Sequence, residues 1–361
     1  MKQHVVVVGG GIAGCMTAME LLKHDCRVTI VERNEIASQT SGESSWAGAG
    51  ILFPLLPWMY SDAVNRLTLA GAAQYPQLCS LLQEETSIDP EYLQCGMLLL
   101  PEFDRDKALA WCAANNLIAQ SVSPARYAVQ SPTAGDALWL PQVAEVRPPN
   151  LMKALRRYLE QKGVELVEHT QLSPLPVMDE LKAWQTTDGR VFHADKFILT
   201  SGAWSFELLR ENVLRLNIKP MRGQILLYAQ PDSGLLHMVY REGFYLVPRQ
   251  DGLLLAGSTL EDVGFDQSTT DAARNAITAK AEAILPALKG KPILKHWSGL
   301  RPGTPENLPA IGEHPKIRNL YLNTGHFRYG LTMAPCSASM VAAMANGQEP
   351  VMDPRPFAFP V

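Results

Sequence analysis

Nothing in this chain is long and apolar enough to suggest a membrane span. No segment approaches the run of about 18 apolar residues that a spanning helix needs. The opening "MKQHVVVVGG" carries a lysine and four valines, but glycines follow where the apolar core of a signal peptide would continue. There is no lysine- or arginine-rich run. The formal net charge of −4 leaves no broad attraction for nucleic acid or for an anionic membrane. Cysteine is sparse: Cys15, Cys26, Cys79, Cys95, Cys112 and Cys336 form no C-x-x-C pair, and no histidine is spaced for zinc. They read as buried, reduced thiols, with no metal site and no disulfide framework. Internal repeats and low-complexity tracts are missing too. A soluble, cytoplasmic globular protein is the expectation.

What is present is core-forming material. With 47% apolar and 19% charged residues, the chain is folded rather than disordered. Its 361 residues exceed one ordinary core, so two domains, or one with a large insertion, are expected.

The N-terminal "HVVVVGGGIAGCMTAMELLKHDCRVTIVER" reads as strand, tight turn, helix, strand and acid. Val5 to Val8 are β-branched without alternation, which suits a strand buried on both faces. Gly9, Gly11 and Gly14 fit G-x-G-x-x-G: the first for the turn, the second for close approach of backbone to a pyrophosphate, the third for helix–strand packing. Glu32 follows about 20 residues later, placed for ribose hydroxyls. Asp25 stands where many such units carry glycine, and aspartate tolerates turn geometry. The complete unit points to a dinucleotide; the fingerprint alone does not separate NAD from FAD. Next, "NEIASQTSGESSWAGAGILFP" lacks periodicity and is rich in Ser and Gly, as in a loop threading past an extended cofactor.

Farther on, "RPPNLMKALRRYLEQKGVELVEH" reads as a helix capped by Asn150 and then a strand, and "WQTTDGRVF" carries a hairpin signal at Asp188-Gly189. "KFILTSGAWS" is a buried strand ending in small residues, Gly202 among them, as where a sheet meets a cofactor. In "NLYLNTGHFRYGLTMAPCSASMVAAMANG", Leu320 to Leu322 form a strand and Gly325 to Gly330 a turn. A helix from Leu331 then ends at Gly347, with Pro335 expected in its first turn. Its N-terminal N–H groups and dipole could face an anion. Helices are expected in "SDAVNRLTLAGAAQYPQLCSLLQEE" and "DRDKALAWCAANN". Long strands with turns at "PDSG" and "RQDG" are expected from about 218 to 297, with a helix from Thr270 to Leu285. "DPRPFAFPV" reads as an extended tail whose Phe357 and Phe359 dock on the surface. The expectation is a mixed α/β chain. A doubly wound nucleotide domain made of residues 1–60, 141–217 and 298–361 is interrupted by an antiparallel-sheet substrate domain made of 61–140 and 218–297.

One arginine stands out. In "HWSGLRPGTPENLPAIG", Arg301 lies between the end of a buried strand and a string of turn formers, with no acid before Glu306. A positive charge so placed calls for an anion, from the protein or from a ligand.

The N-terminal unit, "SSWAGAGILFPLLPW", "ILTSGAWS", "GFYLVPR", "LLLAGSTLE", "SGLRPGTPENLPAIG" and "GHFRYGLTMAP" follow one another as in the D-amino-acid oxidase superfamily. Within it the chain most resembles the glycine oxidases of thiamine biosynthesis, over essentially its whole length. The resemblance implies a Rossmann-like domain of discontinuous segments that binds FAD non-covalently, with the amino acid beneath an antiparallel sheet. It implies FAD contacts at Ile12 and Ala13, at Glu32 and Arg33, and along the next loop at Ser44, Ser45, Ala49, Gly50 and Ile51. Leu172 matches a backbone contact toward the adenine. His326, Phe327, Arg328, Tyr329, Gly330, Leu331 and Thr332 match the turn and helix start at the flavin.

For substrate, Arg301 matches the family's carboxylate-binding arginine, Tyr245 the tyrosine that shares the carboxylate, and Arg328 a second positive group or the partner of a protein carboxylate. His326 is expected to satisfy a backbone contact rather than to act as a base, and no catalytic acid–base pair emerges. Leu260 stands where related proteins carry methionine, which bears on pocket size. The implied reaction is oxidation of glycine, sarcosine or small D-amino acids by dioxygen to the imine and glyoxylate, with hydrogen peroxide, serving thiazole synthesis. The alternatives are a D-amino-acid dehydrogenase passing electrons to quinone, a sarcosine-oxidase-like amine oxidase, and a flavoprotein subunit without amine chemistry. Homo-oligomers are common in the family.

Overall fold

The computed structural model describes residues 2–40, 42–127, 129–211, 216–229 and 234–358. The valines Val5–Val8 are buried on both faces, and strand His4–Val8 accordingly lies inside a six-stranded sheet. Its order is Ala310–Glu313, Leu320–Thr324, Lys196–Leu199, His4–Val8, Arg27–Val31, Glu165–Val167. Only the first pair is antiparallel. Helix Ile12–Lys23 starts from Gly11 and returns through Asp25, which takes a left-handed φ of 57°. A Cβ on Gly14 would stand 1.9 Å from the Gly9 carbonyl oxygen, so only glycine lets this helix approach the strand end.

The second layer is an eight-stranded sheet in the order Ile293–Gly303, Lys219–Ala229, Leu253–Gly257, Phe244–Pro248, Met238–Arg241, Met97–Leu99, Ala137–Leu140, Gln120–Val122. It is antiparallel except between Met238–Arg241 and Met97–Leu99. Strand Ile293–Gly303 pairs along its length with Lys219–Ala229, so a boundary at residue 298 falls in mid-strand. Helices Asp62–Ala72 and Tyr75–Thr86 bury Val64, Leu67, Tyr75 and Leu82 in one core with helices Ile12–Lys23 and Gly330–Ala345. The first third of residues 61–140 therefore packs on the layer of the parallel sheet.

Local expectations met the structure unevenly. The Asp188-Gly189 hairpin joins Ala183–Gln185 to Val191–His193. Thr270 caps helix Asp271–Ile284 by accepting the Ala273 N–H. Asn150 is not a cap. Helix Pro148–Gln161 starts earlier with Arg147 at its N-cap, because two prolines suit a first turn whose N–H groups have no helical partner. The Asn150 amide instead donates to Glu91 at 2.8 Å.

Pro335 is not in the first turn either. Helix Gly330–Ala345 begins at Gly330, which puts Pro335 in its second turn, where a missing N–H leaves the carbonyl of Leu331 without its helical donor. Phe357 is buried in the core of the parallel-sheet layer rather than docked on the surface. Phe359 and residues 231–233 of the "PDSG" turn lie outside the described residues. All six cysteines are free thiols. Among the described residues no helix is long and apolar enough to cross a membrane, and no His, Cys, Asp and Glu cluster could hold a metal.

Candidate functional site

A cavity of about 440 Å³ is lined by residues of both sheets. Its wall begins at the C-terminal end of strand His4–Val8, where parallel α/β sheets bind their ligands. Gly9 takes φ 109°, and Gly11 precedes helix Ile12–Lys23, whose first residues Ile12 and Ala13 reach the cavity. The Ile12 N–H donates to Ser45 Oγ at 3.0 Å, tying the glycine turn to the loop Ser44–Ile51. Glu32 is buried on this wall. Its carboxylate accepts the Gly10 N–H at 2.7 Å and the Asn34 N–H at 2.9 Å, so one acid braces the turn and lines the cavity.

Arg33 lies 3.6 Å over the ring of Trp204, which stacks in turn on Phe265. Gly202, with φ 55°, and Leu172 complete this end. Glu43, also on the wall, is pushed up to about 7 by burial, with the nearby Glu32 adding to the effect. A channel that begins at a glycine turn, passes an acid and runs on between backbone segments suits a dinucleotide.

At the other end, loop Ala49–Ile51 faces the residues from His326 to Thr332. The helix Gly330–Ala345 thus opens onto the cavity with its first-turn N–H groups and positive dipole end, suited to partial negative charge. His326 is buried, its Nε2 lies 3.1 Å from Ser337 Oγ, and burial lowers its pKa to about 4. It is neutral at pH 7 and spent on holding the helix start. Gly325 and Gly14 are outside the cavity wall; each serves close packing, Gly325 against Thr304 and Ile218.

Arg301, Tyr245 and Arg328 also come together on this wall, from three distant segments. Arg301 donates from Nη2 to Ser258 Oγ at 2.7 Å and from Nη1 to the Thr259 carbonyl at 3.2 Å; neither acceptor is a carboxylate. Burial lowers its pKa, Tyr245 favours its charge and Arg328 opposes it. The segment that holds it is itself anchored. Glu261 accepts from Thr259 Oγ1, Gln224 Nε2 and the buried Arg222, whose other branch reaches Asp266. Arg328 is exposed at the mouth, its guanidinium 5.3 Å from the Phe327 ring, with no ion pair to a carboxylate among the described residues. Leu260 is not part of the wall: it is 45% exposed, and Ser258 is the residue of its segment that lines the cavity.

Sequence reading missed Ser258, Gly223 and Trp204. A Cβ on Gly223 would stand 2.0 Å from Arg301 Nη1, and its only signal was a glycine inside a strand.

A family model described as FAD dependent oxidoreductase matches residues 4–344. The chain is 42% identical to a glycine oxidase of Pseudomonas aeruginosa, over 99% of each chain. It is 30% identical to a bifunctional ThiO/ThiG protein of Trichormus variabilis, over 95% of this chain and 52% of that protein. The crystal structure of glycine oxidase from Geobacillus kaustophilus superposes with a TM-score of 0.88 at 26% identity, covering 99% of both chains.

Proposed function

The chain belongs to the FAD-dependent oxidoreductase family, and from that premise we propose that it oxidises glycine with FAD and dioxygen. The products are the imine, which hydrolyses to glyoxylate and ammonia, and hydrogen peroxide. The single observation that carries the reading is Arg301. It is a guanidinium held in a cavity wall by Ser258 and Thr259, with no carboxylate on its fork among the described residues.

The residues present fit FAD. The Gly9–Gly14 turn and Ser45 would take the pyrophosphate, Glu32 and Arg33 the ribose and adenine side with Leu172 and Gly202, and Ala49–Ile51 and the Gly330–Thr332 helix start the flavin. When bound, FAD supplies a two-electron acceptor for the hydrogen of the substrate α-carbon. The rest is done by this chain. Arg301 grips the α-carboxylate with two parallel hydrogen bonds, and Tyr245 shares it. Charge-assisted bonds of about 1.5–3 kcal/mol each are enough to orient a substrate as small as glycine. Two guanidiniums near the amine favour its neutral form, so no side chain has to act as a base. Phe53 and Leu55 give the wall its apolar part, which helps to exclude water.

The wall residues read for the cofactor come from 1–60, 141–217 and 298–361; of those read for substrate, Tyr245 comes from 218–297 and Arg301 and Arg328 from 298–361. The partners are a small amino acid and dioxygen, and identical chains assemble with one another. Free thiols suit the reducing cytoplasm. The fused ThiO/ThiG relative supports service to thiazole synthesis.

The test is anaerobic mixing of the FAD-loaded protein with glycine, sarcosine and D-alanine, read by loss of flavin absorbance, then a peroxide assay in air. Glycine should bleach the flavin and yield peroxide. Bleaching without peroxide would make it a dehydrogenase, and a flavin that stays oxidised with all three amines would remove the proposal.

A further inference from the structure

Arg249 ends the "FYLVPR" segment and takes no part in the site as described so far. It is buried, and so is its partner Glu145, whose carboxylate accepts from Arg249 Nη1 at 2.9 Å. The same guanidinium donates to two backbone carbonyls, Val146 at 3.0 Å and Ala49 at 2.7 Å. Ala49 belongs to the loop that faces the flavin end of the cavity, 200 residues away in sequence. A buried arginine is thus aimed at the back of a loop whose front lines the site.

The rest of that loop is held in the same sense. The Gly50 carbonyl accepts the Val146 N–H at 3.0 Å, and the Ile51 carbonyl accepts Thr332 Oγ1 at 3.0 Å. Gly50 takes φ 82°, and a Cβ there would stand 2.0 Å from the Val146 carbonyl oxygen. In a trans peptide the C=O and N–H point opposite ways. Turning the Ala49 carbonyl toward Arg249 therefore turns the Gly50 N–H away from it, and turning the Gly50 carbonyl toward Val146 does the same for the Ile51 N–H. Among the described residues neither N–H has a protein acceptor, and both residues line the cavity. Two successive free N–H groups on one side of a loop make a concave donor pair of the kind that takes negative charge.

We propose that Arg249, braced by Glu145, is a positioning residue that fixes the Gly50 and Ile51 N–H groups as donors toward the electron-accepting part of the flavin, and so raises its reduction potential. The inference rests on the FAD reading above and extends it to how the chain tunes the cofactor. Fixed donors favour added negative charge on the ring more than a loop free to turn its peptides can. Lysine at 249 could still reach one acceptor but not three at once.

The experiment uses the full chain, stripped of FAD and reconstituted. FAD affinity is read by titration of the apoprotein, and the two-electron midpoint potential by equilibration with a reference dye. Arg249→Met should weaken FAD binding at least tenfold and shift the reduction equilibrium at least tenfold toward oxidised flavin, about 30 mV. Arg249→Lys should recover part of the potential. An Arg249→Met protein that melts at lower temperature yet binds FAD with unchanged affinity and potential would overturn the proposal. Should that variant fail to fold, Glu145→Gln, which keeps the shape and loosens the brace, is read the same way. A lowered potential supports positioning and an unchanged one overturns it. Wild-type protein that takes up no FAD would instead remove the reading on which this rests.

Discussion

The guanidinium of Arg301 packs against Gly223 so closely that a single added carbon on Gly223 would lie 2.0 Å from Nη1 and 2.3 Å from Nη2. The two strands pair side by side, with Met221 opposite Arg301 and Gly223 opposite Gly299. Hydrogen bonds to Ser258 and Thr259 leave the guanidinium little room to retreat. Gly223→Ala should therefore push the fork off its acceptors while the strand, at ordinary φ, stays paired. The expected result is a KM for glycine raised at least about tenfold, near 1.4 kcal/mol, with FAD still bound. Unchanged KM would show that the arginine yields freely.

Removing the charge itself should cost more. Arg301→Ala is expected to lower kcat/KM for glycine at least about a hundredfold, some 2.7 kcal/mol. Arg301→Lys should restore little, because a single ammonium cannot grip both carboxylate oxygens in plane. Steady-state kinetics decide it, and full activity in the lysine variant would show that the fork is not needed.

Pro335 and Tyr75 make a second testable pair. The Leu331 carbonyl, which loses its helical donor at Pro335, accepts the Tyr75 hydroxyl at 2.6 Å. Tyr75→Phe should leave that half-buried carbonyl without its protein donor and lower the unfolding free energy by about 1 kcal/mol. Adding Pro335→Ala restores an N–H at the right place, so the double variant should recover part of the loss. Urea denaturation of all four proteins measures the coupling, and strict additivity would deny it.

Acid sensitivity offers a third line. His237 sits edge-on to both Tyr127 and Trp139 with no partner for Nε2 among the described residues, and burial lowers its pKa to about 4. The folded value lies below the free value of 6.5, so between these pH values the unfolded chain binds more protons. The contribution is whole above about pH 6.5 and is lost as pH falls toward 4. Discounted for partial exposure, it is worth about 1–2 kcal/mol at the acid end. His237→Phe keeps the ring stack without the titrating nitrogen. Its stability advantage over wild type should grow from pH 7.5 to pH 5 in thermal melts, and a constant gap would refute the assignment.

Several features that sequence alone misplaced share one cause. Asn150 and Pro335 were judged by their immediate neighbours and Leu260 by its place in the family pattern, and each was decided by something distant. Two prolines shifted the helix start away from Asn150, a tyrosine hydroxyl made an interior proline tolerable, and the path of the Ser258–Glu261 segment left Leu260 outside the wall. The motif residues that line the cavity, from Gly9 and Glu32 to Tyr245, Arg301 and Thr332, sit in contiguous stretches whose spacing is itself the constraint.

What the amino-acid order by itself determined lies within reach of one turn or one strand: the buried valine strand, the glycine turn, the acid after the second strand, the Thr270 cap and the Asp188-Gly189 hairpin. Such features depend on backbone sterics and on burial pattern over a few residues. Only the tertiary structure decided which long-range neighbours stand behind the cavity wall: Gly223 beneath Arg301, Tyr75 at Leu331, Arg249 behind Ala49. Those contacts join segments tens to hundreds of residues apart. Their strength lies in burial, which no local pattern records and which exists only once both sheets have closed around the same space.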